Sequence, residues 1–557
     1  MGTTLAPWRE NAKPGSVIMP KSENRWALLW AVVAVGLTCL PYLVAWRLAP
    51  DGTQYTGLLV NHFDGESYYA KMQQGARGDW LFHLAFTPEP HEAAFIFTFY
   101  LALGQLSSAL SLPLPLTYHL ARVGAGIFML LVAYRFIARC FDQVRARRVA
   151  FLLLAFSAGL GWLLAPLGII TADLWVAEGF TFLSILVNPH FPLAIGLMLL
   201  VFIQVLDAGS SLSSSNVTDS SSSSSRMTSV WPAIGTAAFS LVLAVVQPFA
   251  IPIMLAILAV YLAILTVQNR RLPSRQILLA GIAGLAAAPV MVYDLYVYRA
   301  NPALAAWSAQ NLTASLPPWN YALGYGLILI LAIAGIPTAL RRRRPVDLLL
   351  LSWIGAAVVL LYLPFALQRR FIMGLQVPLA LLAAMGVEQV VWPRVRAKRR
   401  ALVTGLIVGL SALTTAFVPL IAVAGVAQGK PPLVMSSGEA AAWSWLRANT
   451  SWTDTVLAPV DSGEFIPAWA GNRVVYGHPF ETIDAEAKKA EVASFYGPEA
   501  AVAERRAVLD RYGVRYVFLG PGDPAANDRL GADAGALGLV PVWTGGGAIL
   551  YRVGAAP

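Results

Sequence analysis

The residues best placed to do chemistry lie in one polar stretch between apolar blocks. His62 to Gly75 reads HFDGESYYAKMQQG, and it is followed by Gly78 to His83 (GDWLFH) and Pro88 to Glu92 (PEPHE). Carboxylates, imidazoles, aromatic rings and a lysine crowd together there. A general base has to be an ionisable group held within reach of the proton it removes, and Asp64 or Glu66 meets that need at a membrane boundary. A second reading is equally compatible with the spacing. Asp64 would cap a short helix from about Gly65 to Gln74, with Glu66 favourable to its dipole and Gly75 closing it. Glu89, His91 and Glu92 have ligand character, but no H-E-x-x-H or related helical spacing accompanies them, so no metal site is expected.

The elements that must position these residues are membrane spans. Of 557 residues 57% are apolar and only 13% are charged, with mean hydropathy +0.61, which excludes an ordinary soluble enzyme. The apolar residues gather into blocks of about 17 to 25, the length that crosses a hydrocarbon core as a helix. The net charge of +10 does not point to nucleic acid, because after Pro431 there are 14 acidic and 10 basic side chains and the excess of +14 belongs to the membrane part. It sits mainly in four clusters: Arg139 to Arg148, Arg270 to Arg275, Arg341 to Arg344 and Arg394 to Arg400. The positive-inside rule makes all four cytoplasmic.

Counting blocks between clusters gives a polytopic α-helical membrane protein of about 11 spans (range 10–13). Residues 1–25 form a cytoplasmic tail and the first block reads as a retained signal anchor. Residues 26–430 form the membrane domain, with a first outer loop over 47–92. Of the blocks at about 93–110 and 117–137, either one is re-entrant or juxtamembrane, which gives eleven spans and is the preferred reading, or the basic cluster that begins at Arg139 breaks the positive-inside rule. The serine tract within 209–225 cannot bury enough apolar surface to order itself and reads as a disordered cytoplasmic loop. Residues 431–557 read as an extracytoplasmic α/β domain. It opens with a Ser436/Glu439 capping box, carries strands at 455–460, 473–476 and 514–519 and helices at 482–496 and 499–512, and closes with a hairpin through Gly545 to Gly547. Cys39 and Cys140 are too few for a disulfide framework.

The sequence resembles the GT-C class of membrane glycosyltransferases, which includes protein O-mannosyltransferases and the lipid A aminoarabinose transferases. The stretch FDGESYYAKMQQG carries the resemblance, together with YHLARV (Tyr118 to Val123), the acidic position at Glu178 and NPHFPLA (Asn188 to Ala194). The class places an acidic catalytic base just after the first span, which implies Asp64 first and Glu66 second. Gly65 separates the two, where the best-studied members have a tight acidic pair. The resemblance further implies inverting transfer from a polyprenyl-phosphate-linked sugar to an acceptor glycan, lipid or protein, with no cofactor required. Arg369 and Arg370 sit at an outer junction against the positive-inside preference, and guanidinium forks grip phosphate, so with Lys71 they are the expected phosphate ligands. A pair snorkelling to lipid phosphates would look the same.

Tyr68, Tyr69, His91, Arg122, Glu178 and His190 are supporting candidates. For His190 a hydrogen-bonded core histidine is the simpler reading, and for Arg122 and Asp294 a structural pair or cap. A polytopic lipid or small-molecule transporter, and a non-catalytic envelope assembly protein with an outer binding domain, remain as rival functions. The topology is directly testable: reporter fusions at Ser220 and Ala536 should label from opposite sides of the membrane, and labelling from one side contradicts the eleven-span count.

Overall fold

The computed structural model describes residues 19–210, 223–522 and 524–554. Most of the N-terminal tail and the centre of the serine tract lie outside the described residues. The tract's edges are helical, because one helix runs to Ser210 and the next begins at Ser223.

Among the described residues, ten helices are long and apolar enough to cross a membrane, and the shorter apolar segment Val230–Val246 makes an eleventh candidate. Helix α1 (Lys21–Leu48) is followed by α2 (His62–Ala76) and α3 (Thr98–Ala109) before the next long helix, α4 (Leu114–Cys140). The parity question at 93–110 is answered by length. The 12 residues of α3 rise only about 18 Å, well short of a hydrocarbon core of about 30 Å. The polar excursion after α1 therefore extends to Pro113, beyond the expected limit at Glu92.

Helix α5 (Val144–Phe156) starts immediately after α4, and the turn between them belongs to a basic end of the bundle. Ion pairs knit that end together: Arg139 to Asp207 at 2.6 Å, Arg147 to Glu23 at 2.9 Å and Arg344 to Asp142 at 2.8 Å. At the centre, every residue of the helix Gln376–Gly386 is buried. Lipid tails offer no hydrophobic drive between helices, so close van der Waals packing holds this centre.

The opposite end carries the sheet. Strand β1 (Thr53–Tyr55), directly after α1, pairs antiparallel with β2 (Val434–Ser436), so the first loop and the last span exit side by side. Beyond it, β3 (Thr455–Leu457), β4 (Arg473–Val474), β5 (Val514–Leu519), β6 (Leu539–Gly545) and β7 (Ala548–Val553) form one sheet in the order β4-β3-β5-β7-β6. The β3–β4 and β3–β5 pairs are parallel and the rest antiparallel. The capping box is present, with Ser436 accepting from the Glu439 amide and the Glu439 carboxylate accepting from the Ser436 amide. Strands β3 and β4 are shorter than the 455–460 and 473–476 runs, because the chain turns at Pro459 and at Gly477 into loops that face the bundle. The helix Pro524–Asp533 had no counterpart in the sequence reading, since its Gly and Asp content gives little helical signal.

Helix α2 is wedged beside α3 with almost no clearance. A Cβ on Gly75 would lie 2.0 Å from the Leu101 carbonyl oxygen, and one on Gly104 would lie 1.9 Å from that of Met72. Gly75 therefore serves a helix crossing inside α2 and does not close the helix as the sequence suggested. This crossing makes a prediction. Gly104→Ala should lower the melting temperature of the purified protein by overpacking, at a cost of about 1–3 kcal/mol. Gly124→Ala, in α4 with open space around its Cβ, should be neutral or stabilising by up to about 1 kcal/mol.

Candidate functional site

Helix α2 begins one turn earlier than expected. Asn61 takes the left-handed conformation at its N-cap (φ 52°), and no side chain caps the helix. Asn61 instead donates from Nδ2 to the Trp175 carbonyl at 3.2 Å. Asp64 thus sits in the first turn, where the helix dipole favours its charge, but it does not cap. The cap reading is corrected: the half-buried Asp64 carboxylate accepts no hydrogen bond and makes no ion pair among the described residues.

One turn on, Tyr68 shares a helix face with Asp64. Its ring stacks on Tyr100 at 4.4 Å and meets His190 edge-on at 5.1 Å, while the Tyr100 hydroxyl lies 2.5 Å from His190 Nδ1. Tyr68 is near enough to Asp64, Arg370 and Glu178 for all three charges to act on its hydroxyl, although burial is the main reason that group resists ionisation. Two other chain segments therefore bring charges within electrostatic reach of α2 here. The turn Ala177–Gly179 supplies Glu178, and the turn Gln368–Ile372 supplies Arg370, whose guanidinium lies 5.4 Å over Phe249. A Gly374 amide bond to the Glu178 carbonyl at 3.1 Å joins the two turns. Asp64, Glu178 and Arg370 lie within electrostatic reach of Tyr68 and His190 packs against its ring, so four separate stretches of sequence gather around it.

Glu66, two residues after Asp64, points about 200° around the helix. It is fully buried and accepts from Trp469 Nε1 at 3.0 Å, while its other oxygen has no partner. Burial first, and then the neighbouring Glu464 carboxyl, hold Glu66 well above the usual carboxylate range. Glu464 itself is pushed up to about 8 by burial and by Asp461, and His62, 4.0 Å from it, is pushed down to about 4, chiefly by burial. Glu66 thus lies in a seam between α2 and the sheet-bearing region that disfavours its charge. Lys71 belongs to the same seam. Its ammonium pairs with Glu481 at 2.7 Å, bonds Ser67, and lies 4.6 Å from the Phe97 ring. Burial opposes the charge on Glu481, but Lys71, His478 and the bond from Ser67 outweigh it and hold that carboxyl below its ordinary range.

The remaining candidates are placed elsewhere. Arg369 lies over Trp175 at 4.3 Å, turned away from Arg370. His91 is consumed in its own loop: Nδ1 is 2.8 Å from the Glu89 carbonyl and Nε2 accepts from the Leu84 amide. Arg122 has no carboxylate partner among the described residues, but binds Thr38, His119 and the Ile185 carbonyl and so ties α1 and α4 to the helix Thr181–Val187. Tyr69 is buried against Tyr118 and Trp469. Among the described residues, no group of three or more His, Cys, Asp or Glu side chains is placed to hold a metal. Sequence reasoning missed Glu464, Trp469, His478 and Glu481, which approach α2 from about 400 residues away and carry no spacing signal.

No family model matches the chain, and no curated protein matches it either. Solved structures do. ArnT from Cupriavidus metallidurans bound to undecaprenyl phosphate is 14% identical, with TM-score 0.52, over 94% of this chain and 98% of that one. The same protein in the apo state matches at TM-score 0.52 and 14% identity, covering 94% and 97%. An oligosaccharyltransferase from Archaeoglobus fulgidus is 16% identical at TM-score 0.49 over 88% of this chain and 69% of that one. The fold of this polytopic membrane protein is thus the GT-C fold, as the resemblance implied.

The acid seam predicts a pH dependence. Folding raises the Glu464 carboxyl from 4.5 to about 8, so the folded state binds the proton more tightly than the unfolded chain. That stability is fully present below pH 4.5 and is lost as pH rises through 8. Glu464→Gln should match wild type in melting temperature at acid pH and exceed it at pH 9. Equal melting curves at both pH values contradict the assignment.

Proposed function

We propose that the chain is a glycosyltransferase that moves a sugar from a polyprenyl-phosphate donor to a hydroxyl or amine acceptor at the outer face of a cell membrane. The observation that carries this reading is the convergence of a free carboxylate, Asp64, with the Arg370 guanidinium around Tyr68. The fold it shares with ArnT, a protein described bound to undecaprenyl phosphate, supports a lipid-linked donor. The positive-inside preference supports a cytoplasmic basic end, which leaves the site and the sheet-bearing region outside.

Asp64 takes the proton from the acceptor as its oxygen or nitrogen bonds to the anomeric carbon from one face. The bond from that carbon to the phosphate oxygen breaks on the other face, and polyprenyl phosphate departs with the electron pair, so configuration inverts. Arg370 holds the departing phosphate through two parallel N–H donors. The stacked rings of Tyr68 and Tyr100 offer a flat apolar wall to the sugar, and Glu178 and His190 orient the acceptor. Glu66, buried against Trp469 on another side of α2, takes no part as base, and Lys71 contributes by fixing α2. The acceptor is a glycan, lipid or protein.

Release of polyprenyl phosphate from a panel of polyprenyl-phosphate hexoses and pentoses tests the reading. Asp64→Asn keeps the shape and should cost about 100-fold or more in rate. Arg370→Lys keeps the charge but loses the fork, and should cost about tenfold or more, the value of one charge-assisted hydrogen bond. Glu66→Gln and Arg369→Lys should retain activity. A folded Asp64→Asn protein with wild-type rate would falsify the assignment.

A further inference from the structure

A second cavity lies far from this site, at the basic end. It has a volume of about 510 Å³, within the range of small-ligand sites, and runs between α1, α5 and the helix Arg400–Ser411. It is lined by Arg145, Arg148 and Arg400, by Trp30 and Trp392, and by apolar side chains that include Leu152 and Phe156. Arg145 lies 5.8 Å over the Trp392 ring and Arg148 lies 5.0 Å over that of Trp26.

Among the described residues, arginines without a carboxylate partner occur elsewhere at the basic end, Arg341 and Arg343 among them, but three others line this one cavity. Arg139, Arg147, Arg342 and Arg344 each have a carboxylate partner. Arg145, Arg148 and Arg400 have none among the described residues, and Arg400 spends one N–H on the Trp392 carbonyl. The positive-inside preference explains arginines on this face but not their arrangement around a cavity that tryptophans also line. Residues 1–18 do not supply the missing negative charge, since they hold Arg9 and Lys13 against Glu10. The complement has to be an anion attached to an apolar chain, because the rest of the lining is largely apolar.

We infer that this cavity binds an anionic phospholipid of the cytoplasmic leaflet, its phosphate held by Arg145 and Arg148 and an acyl chain laid along α5 toward Phe156. Arg400 closes the back of the phosphate site, and the two tryptophans mark the interface where indoles prefer to lie. The inference is independent of the transfer reaction.

Titration of dioctanoyl phosphatidylglycerol into the detergent-solubilised full chain, read by native mass spectrometry, tests it. Wild type should retain one such lipid in preference to dioctanoyl phosphatidylcholine. Arg145→Gln/Arg148→Gln should weaken retention by about 30-fold, and each single change by about fivefold, the effect expected of basic residues at an anionic surface. Arg341→Gln/Arg343→Gln, two arginines of the same end outside the lining of this cavity, should leave retention unchanged. The single variants decide the matter if the double variant does not fold. Unchanged retention in the Arg145 and Arg148 variants, equal retention of phosphatidylcholine, or equal binding of inorganic phosphate overturns the inference.

Discussion

Everything at the site depends on the ion pair between Lys71 and Glu481. Both side chains are buried, and taking two charges out of water is repaid only when the geometry is good and the leftover hydrogen-bonding capacity is used. Ser67 meets that condition by bonding both partners. Removing either charge would strand the other, typically at a cost of about 3–5 kcal/mol. A short helix of modest apolar character is thereby fastened to a region that begins more than 350 residues later. With α2 so fixed, the angle of Asp64 relative to Arg370 is no longer free.

The helix then acts as a partition. One face presents Asp64 and Tyr68 to the turns that carry Glu178 and Arg370, while Glu66 on the other side meets Trp469 and Glu464. Two carboxyls two residues apart thus have different surroundings: Glu66 is sealed into a seam beside Trp469 and Glu464, while Asp64 is half-exposed with no partner among the described residues. The β1–β2 pair and the Gly75/Gly104 crossing hold both ends of this arrangement, so the site is assembled from rigid contacts in the loop after the first span, the sheet-bearing region and two inter-helix turns.

Much of this architecture was legible in the sequence because hydropathy and basic clusters are local signals. The spans, the capping box at Ser436 and the strand Val514–Leu519 all follow from patterns within a few residues. Two signals misled. The Asp64-Gly-Glu66 run looked like a helix start, but Asn61 opens the helix without a capping side chain, which no spacing rule anticipates. Gly75 looked like a helix end, but it is small because another backbone passes beside it. Arg369 and Arg370 were indistinguishable as a pair, and only the turn that holds them sets one over Phe249, within electrostatic reach of Tyr68, and the other over Trp175. The partners of Glu66 and Lys71 were invisible, since contacts across about 400 residues leave no trace in a single sequence.

The central claim is that Asp64 and Arg370 flank one reacting centre. Its most direct test is a cryo-EM map of the full chain with a bound polyprenyl phosphate. The account predicts phosphate density within hydrogen-bond distance of Arg370, beside the Tyr68 ring and on the same side of α2 as Asp64. Phosphate density against Arg369 and Trp175, or in the seam beside Lys71, would contradict it.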